Sequence, residues 1–317
     1  MTQRVKRAAY GGPGFKPRTQ SLREELGTIW ADCGVNSEWS RLKSILLHRP
    51  GPELARSAKP DQVLMLEPLE PGLACRQHDA LKQAYEKAGV QVYSVIPPGY
   101  ERSRPPPNLM FVADLMFMTP EGAIIGRPAS TVRAGEEKHI TRRLADIGIP
   151  ILKSVHGTGT FECADAAWLN PQTVLLSHGL RTNPEGAAQV ASVLSEIGIE
   201  TIVVDLVKGT MHQMGQLRFL DDQLAVVWPE RVSLDTIEAL EAHASRVLIM
   251  PDKDELETGL ALNFTTLGPR RILMPAGNPN SQAFLERHGI EISCVNISEL
   301  TKAAGGIACL TGVLSRD

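Results

Sequence analysis

The sequence predicts an α/β protein built as a closed, propeller-like array of five ββαβ units around a central cavity. Three observations carry this. A helical stretch that stops at glycine and runs straight into a short extended segment recurs along the chain. Between the recurrences lie paired β-like runs joined by short polar turns. The last run, 306–314, is left to join 43–49 at the far end of the chain, which closes the array.

The first helical stretch covers 77–88, after which Gly89 stops it and Val90-Gln91-Val92-Tyr93 is extended. The pattern recurs at 136–151 with Gly148, at 185–204 with Gly198 and at 279–295 with Gly289. A weaker copy at 233–250 lacks the glycine, and there Ser245-Arg246 precede Val247-Leu248-Ile249. Glycine just past a helix supplies a left-handed cap for the last carbonyls, so each unit carries a physical stop signal. The paired runs fall at 114–127, 165–177, 217–228 and 261–274, turning near Gly122, Pro171, Asp222 and Pro269. A doubly wound open sheet competes with this reading. It is disfavoured because Gly11, Gly12, Gly14, Gly157 and Gly159 form neither GxGxxG nor a P-loop.

The 317 residues are 43% hydrophobic and 22% charged, enough to bury a sizeable core. A net charge of −3 offers no basic excess, so nucleic acid is not an expected partner. No apolar run approaches the ~18 residues of a membrane span, and no secretion leader is evident. Five scattered cysteines without CxxC read as reduced thiols in a cytoplasmic protein. Residues 1–23 hold Arg4, Lys6, Arg7, Lys16, Arg18 and Arg23 without an acid, as a transit peptide or a basic arm would.

Four segments hold residues suited to chemistry. Cys309 follows Gly305-Gly306, a pair that would let backbone approach a ligand closely; a small buried hydrophobe at a strand start is the plainer reading. His212 leads into the 217–228 pair, where a structural histidine would serve as well. Glu162 and Asp165 precede an apolar run, as a cap or solvated turn does, and Asn108 and Asp114 flank apolar positions, as strand ends do. None has metal-ligand spacing, so neither a metal nor a cofactor is expected. In order, Asp114, Glu162, His212 and Cys309 each open a strand pair in their own unit. Their separations are 48, 50 and 97 residues, the last spanning two units. Equivalent positions of a closed array converge, which would bring a thiol, an imidazole and two carboxylates together. Nucleophilic catalysis with acid–base help needs that set.

These segments resemble the pentein guanidine-modifying superfamily, which holds arginine deiminases, dimethylarginine dimethylaminohydrolases, arginine dihydrolases and amidinotransferases. The resemblance covers roughly 36–314 and rests on six landmarks in order. They are Ser37-Glu38-Trp39, PNLMFVAD at 107–114, FECAD at 161–165, GLRTNPEG at 179–186, the His212 motif and GGIACLT at 305–311. It implies a pentein fold, with an extension at 1–35 and a single catalytic domain over 36–317. Cys309 would be the nucleophile, His212 the general acid/base and Glu162 the carboxylate that orients the histidine. Asp114 would grip the guanidinium beside Asn108, and Arg133 and Arg181 would clamp an α-carboxylate. Asp165 closes the family's Glu-Gly-Gly-Asp turn, written here Glu162-Cys163-Ala164-Asp165. Met214 stands where deiminases and amidinotransferases carry an aspartate. It is expected to face the substrate and favour a substituted guanidine, and dimethylarginine hydrolases lack that aspartate too.

The implied reaction is hydrolysis of the guanidino C–N bond of arginine or an N-substituted arginine through a cysteine-bound amidino intermediate. Its products are a ureido amino acid and ammonia or an amine. Amidino transfer to an acceptor amine is the alternative, as is arginine dihydrolysis, which is weakened because dihydrolases carry asparagine at the position of Asp114. A non-catalytic binding protein of the same fold is a distant third. The expected partner is a small guanidino amino acid, without nucleic acid or membrane, and a homo-oligomer is allowed.

Overall fold

A computed structural model describes residues 7–96, 105–243 and 246–317 of the chain. Arg4 and Lys6 of the basic N-terminal stretch, and Ser245 of the weaker repeat, lie outside the described residues. Helices form where a start signal precedes an apolar stripe. The short α1 (Leu22–Glu25) opens with a capping box between Ser21 and Glu24. In α2 (Pro71–Lys87) the Glu70 carboxylate accepts from the amides of Gly72 and Leu73. Ala74, Gln77, His78, Leu81 and Tyr85 then form its buried face. The chain continues with α3 (Glu137–Asp146), α4 (Pro184–Glu196), α5 (Leu234–Ala242), α6 (Lys253–Glu257), α7 (Pro279–Arg287) and α8 (Ile307–Leu310). Gly89, Gly148, Gly198 and Gly289, past α2, α3, α4 and α7, all take left-handed φ of 77–82°, as the sequence pattern predicts.

The strands are β1 (Leu42–Leu47), β2 (Gln91–Ser94), β3 (Met116–Thr119), β4 (Gly122–Ile125) and β5 (Ile151–Ser154). They continue with β6 (Ala166–Asn170), β7 (Thr173–His178), β8 (Glu200–Asp205), β9 (Leu217–Asp221) and β10 (Leu224–Val227). The last are β11 (Arg246–Ile249), β12 (Thr265–Gly268), β13 (Arg271–Pro275), β14 (Glu291–Val295) and β15 (Gly312–Arg316). They make five three-stranded sheets, ordered β15-β1-β2, β3-β4-β5, β6-β7-β8, β9-β10-β11 and β12-β13-β14. In each, the middle strand is antiparallel to one neighbour and parallel to the strand that follows a helix. The middle strands β4 and β10 are buried along their whole length, so both faces of each are covered.

The chain's last strand completes its first sheet: Leu42 lies opposite Arg316 and Leu46 opposite Gly312. Residues 306–314 nevertheless are not one strand. Residues 307–310 form α8, and β15 begins at Gly312. The backbone explains this, because the amide of Ala308 donates to the Asn263 carbonyl and that of Leu310 to Gly306, so neither is available for a ladder. Cys309 therefore stands on a helical turn. Residues 31–34 are tied to the body by the Ala31 amide on the Gly148 carbonyl and the Gly34 amide on Leu314. Among the described residues, no helix is long and apolar enough to cross a membrane.

One helix tests the packing directly. Gly186 lies in the first turn of α4, and alanine in a helix is ordinarily worth about 0.5–1 kcal/mol over glycine. Here a Cβ would sit 1.9 Å from the Thr160 carbonyl oxygen. Gly186→Ala should instead destabilise the protein by about 1–3 kcal/mol. Thermal unfolding reads this as a lowered Tm; an equal or higher Tm would show that the Thr160 segment yields freely.

Candidate active site

A short turn precedes the first strand of each hairpin, and a polar side chain sits at each. Asp114 ends the turn before β3, Glu162 precedes the Cys163–Asp165 turn before β6, and His212 precedes the Gln213–Gly215 turn before β9. Cys309 lies on α8, just ahead of β15. Asn263 stands just ahead of β12 and divides the interval between His212 and Cys309. Sequence alone did not single it out, although halving the 97-residue gap would have pointed to its neighbourhood.

Cys309, His212, Asp114, Asn108, Arg133 and Arg181 line one cavity of about 340 Å³. Apolar groups from Leu64, Phe111, Met211, Ala303 and Ala304 complete its wall. Leu64 and Ala304 hold left-handed φ of 59° and 72°, an unfavourable state for residues with a Cβ. Gly305 also lines the cavity, and packing accounts for both members of the glycine pair. A Cβ on Gly305 would strike the Phe111 ring at 2.4 Å, and one on Gly306 the Asn263 side chain at 2.7 Å. Both glycines make room for other parts of the protein.

Buried charges surround the cavity. His212 Nε2 is 2.7 Å from Glu162 Oε2, and its Nδ1 is 3.9 Å from Asp114 Oδ1. Arg133 donates from Nη1 to Asp114 at 2.6 Å, and from Nε and Nη2 to Glu136 at 2.9 and 2.8 Å. A longer Nη1 contact of 3.4 Å reaches Glu162. Arg133 is thus already held by three protein carboxylates, which corrects the expectation that it clamps a ligand carboxylate. Arg181 donates from Nη1 to both Glu162 oxygens at 3.2 Å; its other N–H groups make no hydrogen bond among the described residues. Arg181 also lines the cavity.

Three further positions behave unlike one another. Asn108 donates to the Val63 carbonyl at 2.7 Å while its Oδ1, like Asp114 Oδ1, is buried without a hydrogen-bond partner. Asp165 accepts from the Thr182 hydroxyl at 2.7 Å and the Gln213 amide at 3.2 Å, so it ties the Glu162 turn to the His212 turn. It does not line the cavity. Met214 lines a different cavity, with Trp168 and Arg316, because the Gln213–Gly215 turn carries it away from His212. Met211, not Met214, lines the cavity that holds Cys309. Glu136, also absent from the sequence reading, is fully buried against Arg133.

Burial disfavours a charged imidazole, but Asp114, Asp165 and Glu162 outweigh it and raise His212 to about 9. Burial would raise Glu162, yet its bond to His212 and the nearby arginines bring it down to about 2. Burial, and then Asp114, push the Cys309 thiol up to about 11, while Asn263, the Gly306 backbone and Arg218 oppose this. Burial likewise raises Asp165 to about 6. At neutral pH the pair is therefore imidazolium and thiol.

Ligand atoms of Asp114, Glu162 and His212 lie within 4.8 Å of one another, close enough to hold a metal ion, which their sequence spacing did not suggest. Arg133 and Arg181 already pair with these carboxylates, so a dication would have to compete with two guanidinium groups, that of Arg133 buried and that of Arg181 half-buried.

A step that uses the His212 imidazolium as an acid should weaken as pH rises through about 9. Glu162→Gln removes an anion that raises His212, so this alkaline limb should move down by about one pH unit or more. A kcat profile against pH measures it. A limb that stays in place would remove His212 from the acid's role.

No family model matches the chain. The dimethylarginine dimethylaminohydrolase of Pseudomonas aeruginosa is 28% identical over 238 residues, covering 75% of this chain and 87% of that protein. The enzyme of the same name from Streptomyces coelicolor is 26% identical over 269 residues, covering 85% and 96%. Among solved structures, a mutant of the Pseudomonas aeruginosa enzyme complexed with citrulline superposes with a TM-score of 0.71 at 23% identity, covering 87% of this chain and 100% of that one. The amidinotransferase SxtG from Microseira wollei gives a TM-score of 0.71 at 16% identity, covering 90% and 97%. The order of the motifs along the sequence and the two named relatives support placing the chain in the pentein guanidine-modifying superfamily, and the two structures share its fold.

Proposed function

We propose that this protein is an enzyme that hydrolyses the guanidino C–N bond of arginine or, preferentially, of an N-substituted arginine. The observation that carries the reading is the pair of buried, unpartnered acceptors, Asp114 Oδ1 and Asn108 Oδ1, in the cavity that holds Cys309. Buried acceptors without donors are costly, and a planar cation rich in N–H groups satisfies them. Arg181 suits an α-carboxylate, and the apolar wall of Leu64, Phe111 and Met211 suits N-alkyl groups. The names of the two relatives, both dimethylarginine hydrolases, support the same substrate class.

In this reading the arriving guanidinium opposes the pull of Asp114 on the thiol and favours loss of its proton to solvent water, since His212 already carries one. The Cys309 sulfur adds to the central carbon, and the C–N bond breaks as His212 gives its proton to the departing amine. This leaves an S-amidino cysteine. Water then loses a proton to His212 and adds to the same carbon; the C–S bond breaks, restoring the thiolate and freeing the ureido product. General acid–base help of this kind is worth roughly 10²–10⁴-fold.

We further infer that the five sheets are set around one axis as a pentein propeller, with 36–317 as one catalytic domain and 1–35 as an extension. Five free cysteines support a cytoplasmic setting. Hydrolysis is preferred to amidino transfer because the likeness to an amidinotransferase, at 16% identity, speaks for the fold alone.

Incubation with arginine, monomethylarginine and dimethylarginine, followed by mass analysis of all products, tests the activity. A ureido amino acid is expected, formed fastest from a methylated substrate; an amidino group found on an added amine instead would replace hydrolysis by transfer. Cys309→Ser should reduce turnover below about a tenth of wild type, because a serine hydroxyl is far less nucleophilic than a thiolate. Agmatine, which lacks the α-carboxylate, should have a much lower kcat/KM than arginine. Equal values would show that Arg181 does not read that carboxylate.

A further inference from the structure

Asn263 is buried, and its side chain hydrogen-bonds the Cys309 sulfur, which the Gly306 backbone also approaches. Its Nδ2 donates to Sγ at 3.0 Å, and its Oδ1 accepts from the Cys309 amide at 3.2 Å. These two bonds fix each other. The backbone N–H can only donate, so Oδ1 must face it, and Nδ2 is left pointing at the sulfur. The Asn263 carbonyl also accepts from the Ala308 amide, so one residue sets both the helical turn and the side chain it carries. Gly306 leaves the space this needs, since a Cβ there would overlap Asn263. His212 does not hold the sulfur. Its Nε2 is bonded to Glu162, and among the described residues no hydrogen bond or ion pair joins it to Cys309.

We propose that Asn263 is the positioning residue of Cys309, aiming the sulfur into the cavity and stabilising its thiolate by donating to it. An N–H bonded to sulfur gains strength when the sulfur becomes an anion, so it favours the charged form. The neighbouring residue reinforces it. The Phe264 ring carries the buried Arg218 guanidinium 5.7 Å from its centroid, and that cation also favours the Cys309 anion. The proposal rests on the reading of Cys309 as nucleophile, but it can be measured without any substrate.

The experiment follows alkylation of Cys309 by iodoacetamide against pH, site by site, using peptide mass spectrometry. Wild type is compared with Asn263→Ala and Asn263→Asp. Cys294 is exposed and serves as a reactivity reference, while the buried Cys33 and Cys163 report any loss of fold. Asn263→Ala should raise the Cys309 midpoint by about one pH unit or more and slow alkylation near neutral pH about tenfold. Asn263→Asp keeps an acceptor for the Cys309 amide but turns an anion toward the sulfur, so its midpoint should rise further. Unchanged midpoints in both variants, with Cys33 and Cys163 still protected, would overturn the proposal. If both variants lose their fold, the side-chain ¹⁵N resonance of Asn263 in wild type decides. It should shift as Cys309 titrates, and a resonance that ignores the titration counts against the role. A shifted midpoint in a protein that hydrolyses no guanidine would uphold Asn263 and refute the hydrolase reading, and turnover with unshifted midpoints would do the reverse.

Discussion

The pairing of β15 with β1 is the constraint on which the site depends. It is antiparallel, runs from Leu42 to Leu46, and is reinforced by a 2.6 Å hydrogen bond between the buried hydroxyls of Ser44 and Ser315. Because α8 leads directly into β15, the register of that one pair decides where Cys309 lies. Gly312 makes the placement possible, since a Cβ there would meet Val112 Cγ1 at 2.5 Å. Val112 belongs to the turn that ends in Asp114. The thiol and the carboxylate that line one cavity therefore come from distant parts of the chain, held by a contact that needs the absence of a side chain. Hydroxyls continue the same seam: Tyr85 bonds Thr265 at 2.8 Å and Thr311 at 2.7 Å, joining α2 to β12 and to the start of β15.

Electrostatics then dictates what can be stored beside the thiol. Asp114, Glu136 and Glu162 are all nearly excluded from water, an arrangement that is prohibitive for isolated carboxylates. Arg133 makes it tolerable by touching all three. Arg181 adds a second cation at Glu162, yet two cations among three anions still leave a local excess of negative charge, which favours the proton on His212 and works against ionisation of Cys309. Burial and the same charges keep Cys309 as a thiol while no cation is bound. A thiol that ionises only when a cation arrives is protected from casual oxidation and alkylation, at the cost of reactivity in the empty state.

Much of this was legible in the sequence. The helix–glycine–strand repeats, the intervening hairpins and the closure by the last strand follow from periodicity and stop signals, and the structure bears them out in five sheets of one pattern. Cys309, His212, Glu162, Asp114, Asn108, Arg133 and Arg181 do gather in or around one cavity. What sequence misjudged were directions. Two residues after His212 looked equivalent to a substrate-facing position, but a tight turn lies between, and one residue of rotation sends Met214 into another cavity. Arg133 was assigned to a ligand because the acid that claims it, Glu136, is just three residues on and reads as ordinary helix-start chemistry. Short turns and local ion pairs are decided by tertiary surroundings, to which periodicity is blind.

Asn263 shows the same limit and its remedy. An asparagine before a strand is ordinary composition, and on a pattern search it stands level with any turn residue. Its significance emerges when the units are counted, because four of the five hairpin entrances carried a candidate and one did not. The five entrances hold Asp, Glu, His, Asn and Cys, so equivalent backbone positions have taken different chemistry while the hairpins beneath them stayed alike. The strands supply placement, and the residues ahead of them supply the polar groups that gather at and around the cavity. Such a division lets the side chain at one entrance change without repacking the sheet behind it. It also means that each entrance residue is held by its neighbours around the cavity: Glu162 by His212 and two arginines, Cys309 by Asn263, and Asp114 by Arg133. Identity at any one of the five is therefore constrained by charge and hydrogen bonding across units more than by packing within its own.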